Sequence, residues 1–296
     1  MLLPKPLQPG DTVAIVATAR KIDEEELTAA VALLESWGLK VLIGNSIGLQ
    51  DRQFAGTDSE RFADFQTMLY NPTVKGIWCA RGGYGTVRII DILNFSDFSN
   101  HPKWIVGYSD ITVLHSHLNT LRIASMHATM PVNISRNSAA SLASLKTALF
   151  GQKNVYDFPH ESKKLDTITG ELVGGNLSIL YSLLGSSSSI DTRGKILFLE
   201  DLDEYLYHVD RMMMNLKRNG YFDEIKALLV GGMTKMKDNS IPFGKTAREI
   251  IEDVCKNFDF PIIFDVPAGH IQDNRTLIIG KEITIKIGYD KVQLIQ

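Results

Sequence analysis

Four short segments place reactive side chains where apolar runs end. The first reads Trp104-Ile105-Val106-Gly107-Tyr108-Ser109-Asp110-Ile111-Thr112. An apolar run stops at Gly107, and Ile111, Leu114 and Leu118 then recur at helical spacing, so Ser109 is expected between a buried strand and a helix. A hydroxyl in that position lies at the carboxyl end of a strand, where open α/β sheets bind ligands. It also lies beside the free N–H groups of a helix start, which favour a developing oxyanion. This is the placement of a nucleophile elbow without the Gly-x-Ser-x-Gly pattern, because Ile111 stands where the second glycine would be. A plain helix N-cap accounts for the same serine.

The second segment, Cys79-Ala80-Arg81-Gly82-Gly83-Tyr84-Gly85, again follows an apolar run. Its glycines let backbone approach a ligand closely. No Lys and Ser/Thr follow as in a phosphate loop, and Arg88 occupies the last glycine of a dinucleotide fingerprint. A backbone N–H donor facing a nearby serine fits better, and so does a simple tight turn. The third and fourth segments are Phe198-Leu199-Glu200-Asp201 and Pro267-Ala268-Gly269-His270. A histidine in a glycine-adjacent loop can reach a serine while a carboxylate from another strand end orients it. Glu200 closes the apolar run and is expected at a strand end facing a cleft. Asp201, Asp203 and Glu204 are expected in the loop and helix start beyond it, as capping acids.

The elements that must carry these residues are legible from periodicity. Up to about residue 149, strand-like runs at residues 12–17, 40–43, 76–79, 104–106 and 122–125 alternate with amphipathic segments. One segment starts near Asp23 and another follows the cap-like Thr57-Asp58-Ser59-Glu60. Such alternation implies a parallel sheet covered by helices. Residues 150–170 are polar and turn-rich. Beyond them the order is mixed: helices near 176–184, 203–217 and 246–256, strands at 195–199 and 227–230, and a closing hairpin about Gly288-Tyr289-Asp290. The expectation is an α/β protein: a flavodoxin-like or Rossmann-like parallel-sheet domain (1–150), a linker (151–165) and a smaller α+β domain (166–296).

Composition narrows the function classes. At 296 residues, 44% hydrophobic and 22% charged, the chain can bury cores without staples. A net charge of −3 gives no footprint for a nucleic-acid partner. No secretory leader or membrane-length apolar run is visible, and two distant cysteines, Cys79 and Cys255, read as reduced thiols. A cytoplasmic protein is expected. His115 and His117 point about 200° apart on a helix and do not share a metal. Cys79 and the run Met212–Met214 read as packing residues. Arg81 is either a contact for a substrate carboxylate or an ordinary surface group, and is left outside the catalytic set.

Taken together, the segments resemble the LD-carboxypeptidase family of serine peptidases, which includes muramoyltetrapeptide carboxypeptidases and the microcin C immunity hydrolase. The likeness runs through PGDTVAIVATA, AGTDSERFADFQTML, WCARGGYGTVRIID, VGYSDITVLH, GELVGGNLSIL, LFLEDLDE and PAGHIQDNRTLIIG. It implies Ser109 as nucleophile, His270 as general base and acid, and Glu200 as the carboxylate orienting His270. It also implies an oxyanion hole from the backbone N–H of Asp110 and of Gly82 or Gly83, with no metal or cofactor. The implied substrate is a murein tetrapeptide ending in D-Ala, cleaved during cytoplasmic recycling by a homodimer. One departure is Met126-His127-Ala128-Thr129-Met130-Pro131, where the family often has His-Gly-Pro-Met; it bears on the pocket wall. Two other readings remain open at this point: an immunity-type hydrolase acting on an aminoacyl or peptidyl nucleotide, and a two-domain module that only binds a small ligand.

Overall fold

The computed structural model of the chain describes residues 1–162 and 164–296. In the first half, β1 (Thr12–Val16), β2 (Lys40–Ile43), β3 (Val74–Cys79), β4 (Trp104–Gly107) and β5 (Ser125–His127) alternate with α1 (Thr28–Ser36), α2 (Asp58–Tyr70) and α3 (Thr112–Thr120), and α4 (Ala139–Leu149) follows. The five strands pair in parallel in the order β2-β1-β3-β4-β5, the flavodoxin-like arrangement. Alternation along β1 sends Val13 and Ile15 to a core shared with α1 and α4. It sends Ala14 and Val16 to one shared with α2 and α3. Both faces are therefore covered, as near-continuous apolar strands require.

Local chemistry sets the helix starts. The Thr57 hydroxyl accepts from the Glu60 N–H at 3.2 Å while Glu60 Oε2 accepts from the Thr57 N–H at 2.7 Å, the reciprocal cap that opens α2. Near Asp23 the chain first makes a tight 3₁₀ turn, Glu24–Leu27, before α1 begins. Strand β5 starts later than its apolar run suggested, because Arg122 takes φ 63° in the turn that closes α3.

The second half contributes β6 (Val155–Pro159), β7 (Asp166–Asn176), α5 (Leu177–Ser182), β8 (Ile196–Leu202), α6 (Leu206–Arg218), β9 (Ala227–Thr234), α7 (Ala247–Cys255), β10 (Ile262–Ile263), β11 (Leu277–Ile279), β12 (Glu282–Ile287) and β13 (Lys291–Ile295). A second sheet runs β10-β9-β8-β7-β12-β13-β6. Its parallel part, β7 to β10, packs one face on α5, α6 and α7, where Met212 and Met213 are buried. The other face packs with apolar side chains of β6, β12 and β13. Residues 155–159, inside the stretch expected as linker, form β6, which pairs antiparallel with β13. Among the described residues no helix is long and apolar enough to cross a membrane.

One connection matters most for the site. Strand β11 leaves the second sheet and pairs antiparallel with β5, Leu277 opposite His127. It is the edge strand of the first sheet, so the loop before it, residues 264–276, lies against the first half. That loop is tied down there: the N–H of Ser138 donates to the Gln272 carbonyl at 2.9 Å, and the Ser138 hydroxyl to Asp273 at 2.6 Å.

Candidate active site

Ser109 follows β4 after one residue, Tyr108. Its φ is 64°, in the left-handed region that costs a non-glycine residue about 1–2 kcal/mol, and a short 3₁₀ turn, Ser109–Ile111, leads into α3. The neighbours over-determine this strained conformation. Asp110 is buried and accepts the Thr86 N–H at 2.9 Å, joining the turn to the glycine-rich loop. Thr112 accepts the Asn176 N–H at 3.0 Å, joining it to the end of β7. Burial raises the Asp110 carboxyl above its ordinary range.

The glycine-rich loop lies against this turn. A Cβ on Gly82 would stand 3.1 Å from Ser109 Cβ, 3.2 Å from its Oγ and 3.4 Å from the Asp110 nitrogen. A side chain here would crowd the serine, and glycine leaves the approach open. Gly83 instead passes under Arg20, where a Cβ would meet Cδ at 2.6 Å. Of the two, Gly82 is the glycine against Ser109. The loop is held from below by the buried Arg61, which donates to the carbonyls of Thr18 at 2.7 Å and Gly85 at 2.9 Å and pairs with Asp58.

Glu200 and His270 come from the second half. The β8–β9 register slips between Leu199 and Asp201, so alternation breaks at Glu200. Its carboxylate is fully buried, and Oε2 accepts from His270 Nδ1 at 2.6 Å and from the His270 backbone N–H at 3.0 Å. Gly269 permits this contact, since a Cβ there would sit 2.6 Å from Oε2. Burial alone would raise the Glu200 carboxyl, but the charge of His270, with His127 nearby, holds it far below the carboxylate range. For His270, burial favours the neutral ring, yet the Glu200 charge and hydrogen bond win and raise its pKa. Tyr108 packs beside it, ring centroids 4.8 Å apart and planes tilted by 54°.

Ser109, Asp110, Gly82, Gly83 and His270 line one cleft of about 520 Å³, with Glu200 behind His270. Glu200 was expected at a strand end facing the cleft, but it lies inside β8 and is fully buried. Asp201 departs from expectation as well. It does not lie in the following loop but inside β8, buried, accepting from Asn176 Nδ2 at 2.9 Å and from the N–H groups of Ser178 at 2.9 Å and Leu202 at 2.8 Å. Asp203 and Glu204 do lie between β8 and α6.

Burial and the neighbouring Glu200 push Asp201 up to about 7, against about 4 in an unfolded chain. A raised carboxyl stabilises the fold fully below the unfolded value and loses that contribution as pH climbs through the folded one. Asp201→Asn stays neutral. Relative to wild type, its unfolding free energy should therefore gain between about pH 4 and about pH 8, read by urea titration at each pH. A difference that does not change with pH would mean the carboxyl is ionised throughout.

Two contributors were not singled out from the sequence. Asn176, read only as a helix start, caps α5 and also donates to Asp201 and, at 3.3 Å, to Glu200. His127, placed on the pocket wall by its motif, is instead fully buried behind it, 3.9 Å from Glu200 Oε1 and packed on Tyr108 and Phe198. Neither of its ring nitrogens has a hydrogen-bond partner. Of the groups set aside, His115 and Cys79 behave as packing residues, whereas Met214 is exposed and Arg81 lines the cleft. His115 bonds Ser125 and the Gly107 carbonyl, each at 2.8 Å, and burial lowers it to about 3. Burial pushes the Cys79 thiol up to about 12.

The LD-carboxypeptidase N-terminal domain matches residues 13–128 and the C-terminal domain matches residues 169–285. A probable murein peptide carboxypeptidase of Bacillus subtilis is 35% identical over 288 residues, covering 94% of this chain and 89% of that protein. The chain belongs to the LD-carboxypeptidase family. It is thus an enzyme, a peptidase. The crystal structure of the muramoyltetrapeptide carboxypeptidase of Oxalobacter formigenes superposes on this chain with a TM-score of 0.87 at 27% identity, over 96% of this chain and 98% of that one. The microcin C7 self-immunity protein MccF of Escherichia coli is also similar, at 24% identity over 96% of this chain and 93% of that protein.

Proposed function

We propose that this carboxypeptidase is a serine enzyme that removes the C-terminal D-Ala from a murein tetrapeptide, with Ser109, His270 and Glu200 as its triad. The observation that carries the reading is the buried Glu200–His270 hydrogen bond of 2.6 Å, with its histidine on the same cleft as a serine held at φ 64°. Ser109 Oγ attacks the carbonyl of the L,D-amide while His270 Nε2 takes its proton. The buried carboxylate fixes the tautomer and steadies the imidazolium that forms. The N–H groups of Gly82 and Asp110 receive the oxyanion, a donor of this kind contributing ~3 kcal/mol. His270 then protonates the departing D-amino acid, and water repeats the sequence on the acyl-enzyme. Such a reaction serves the reuse of cell-wall peptide.

The rival nucleotide substrate asks for aromatic rings on which a base can stack. Among the described residues, Tyr108 is the one phenol or benzyl ring lining the cleft, and it is buried against His270. That favours the peptide. Incubation with murein tripeptide, tetrapeptide and pentapeptide, read by mass, should show the tetrapeptide alone losing one D-Ala. A serine-directed fluorophosphonate should label the protein and stop this release. An untouched tetrapeptide would refute the assignment.

A further inference from the structure

Three arginines line the cleft from the first half of the chain: Arg20 after β1, Arg81 in the glycine-rich loop and Arg136 ahead of α4. Among the described residues none of the three makes an ion pair, although seven other arginines do. The Arg81 guanidinium donates only to the Lys21 carbonyl, at 3.2 Å. The acids across the cleft are already satisfied. Asp203 pairs with Lys237 at 2.9 Å, Glu204 with His208 at 2.6 Å, and Asp201 receives three N–H groups. One wall thus carries free cationic forks and the other carries partnered carboxylates. A chain with a net charge of −3 does not produce this by general basicity. Free guanidinium groups in a concave polar site select planar oxyanions, which they bind through paired N–H donors.

Two of the arginines stand on segments that touch the nucleophile turn. Arg81 precedes Gly82, whose backbone lies against Ser109. The N–H of Arg136 donates to the Asn133 carbonyl at 2.8 Å, and Asn133 Oδ1 accepts from the hydroxyl of Tyr108, the residue before Ser109, at 3.2 Å. We propose that Arg81 and Arg136 bind the free α-carboxylate of the residue to be released, with Arg20 adding a third charge to the same wall. This site makes the enzyme act at a chain end rather than inside a peptide. The inference rests on the serine carboxypeptidase reading above.

The test compares murein tetrapeptide ending in free D-Ala with the same peptide ending in D-alaninamide. Wild type should prefer the acid by at least ~10²-fold in kcat/KM, the scale of two charge-assisted contacts. Arg81→Ala combined with Arg136→Ala should lose roughly 10²-fold on the acid, mainly through KM, and less than about threefold on the amide. Single Arg81→Gln and Arg136→Gln variants should each lose part of the preference, which guards against misfolding of the double variant. Equal wild-type turnover of acid and amide would overturn the carboxylate site and leave the peptidase reading standing. So would equal losses on both peptides in the variants. Failure of wild type to release D-Ala or D-alaninamide from either peptide would remove the murein tetrapeptide carboxypeptidase reading itself, and the carboxylate site with it.

Discussion

Ser109→Ala is expected to fold like wild type and to lose turnover of murein tetrapeptide by at least ~10³-fold, because the attacking oxygen is removed. The packing around the residue predicts an independent signature. At φ 64° serine and alanine carry similar backbone strain, so the alanine variant should unfold within about 1 kcal/mol of wild type. Ser109→Gly relieves that strain and should be the more stable of the two by about 1 kcal/mol, even after the larger entropy of a glycine in the unfolded chain. Urea unfolding of the three proteins reads the order, and tetrapeptide hydrolysis reads the loss. A Ser109→Ala enzyme with more than a few per cent of wild-type kcat, free of contaminating activity, would remove the nucleophile assignment. A glycine variant less stable than the alanine one would show that the left-handed turn is not strained.

The positions of Ser109 and of the Gly82-Gly83 pair were legible because each follows the end of an apolar run. The parallel order of β1 to β5 brings both ends to one sheet edge; a helical period follows only Ser109, while two 3₁₀ turns, Thr86–Arg88 and Ile90–Ile92, follow the glycines. Glu200 was legible for the opposite reason: an acid closing the run Ile196-Leu197-Phe198-Leu199 is out of place unless it has a partner. What the sequence did not disclose depends on long-range pairing. Strand β11 has three residues, too few for a periodicity, and its partner β5 is about 150 positions earlier, so nothing local announces that it crosses to the first sheet. The burial of Asp201 follows from the register slip beside it and from the Asn176 amide, both tertiary facts. Strand β6 alternates only over Tyr156 and Phe158, within flanks whose polarity reads as loop. His127 shows the same limit from another direction: its motif was visible, but its burial behind the cleft required the fold.

Glu200→Gln is expected to lower kcat by roughly 10²–10⁴ with KM little changed, a scale set by carboxylate-to-amide changes in related triads. The hydrogen bonds around the carboxylate explain why an isosteric amide does not substitute. Oε2 accepts twice, from His270 Nδ1 and from the His270 backbone N–H, while Oε1 faces the Asn176 amide nitrogen. If the glutamine oxygen takes the Oε2 position, its NH₂ opposes the Asn176 donor. If the amide flips, its NH₂ opposes the His270 backbone N–H and favours the Nδ1-unprotonated ring, which places a proton on the nitrogen that must accept one from Ser109. Either orientation also deprives the imidazolium of its counter-charge. The pH profile separates this role from mere support of the fold. Glu200 is what raises the His270 pKa against the opposing effect of burial, so the acid limb of kcat/KM should move to lower pH in the variant as the ring becomes harder to protonate. Asp201→Asn, whose carboxyl anchors α5 and Asn176 rather than His270, should stay within about tenfold of wild-type kcat, with circular dichroism confirming the fold of each variant. A Glu200→Gln enzyme with wild-type kcat and an unmoved acid limb, beside an inactive Asp201→Asn, would transfer the orienting role to Asp201 and leave the serine and histidine in place.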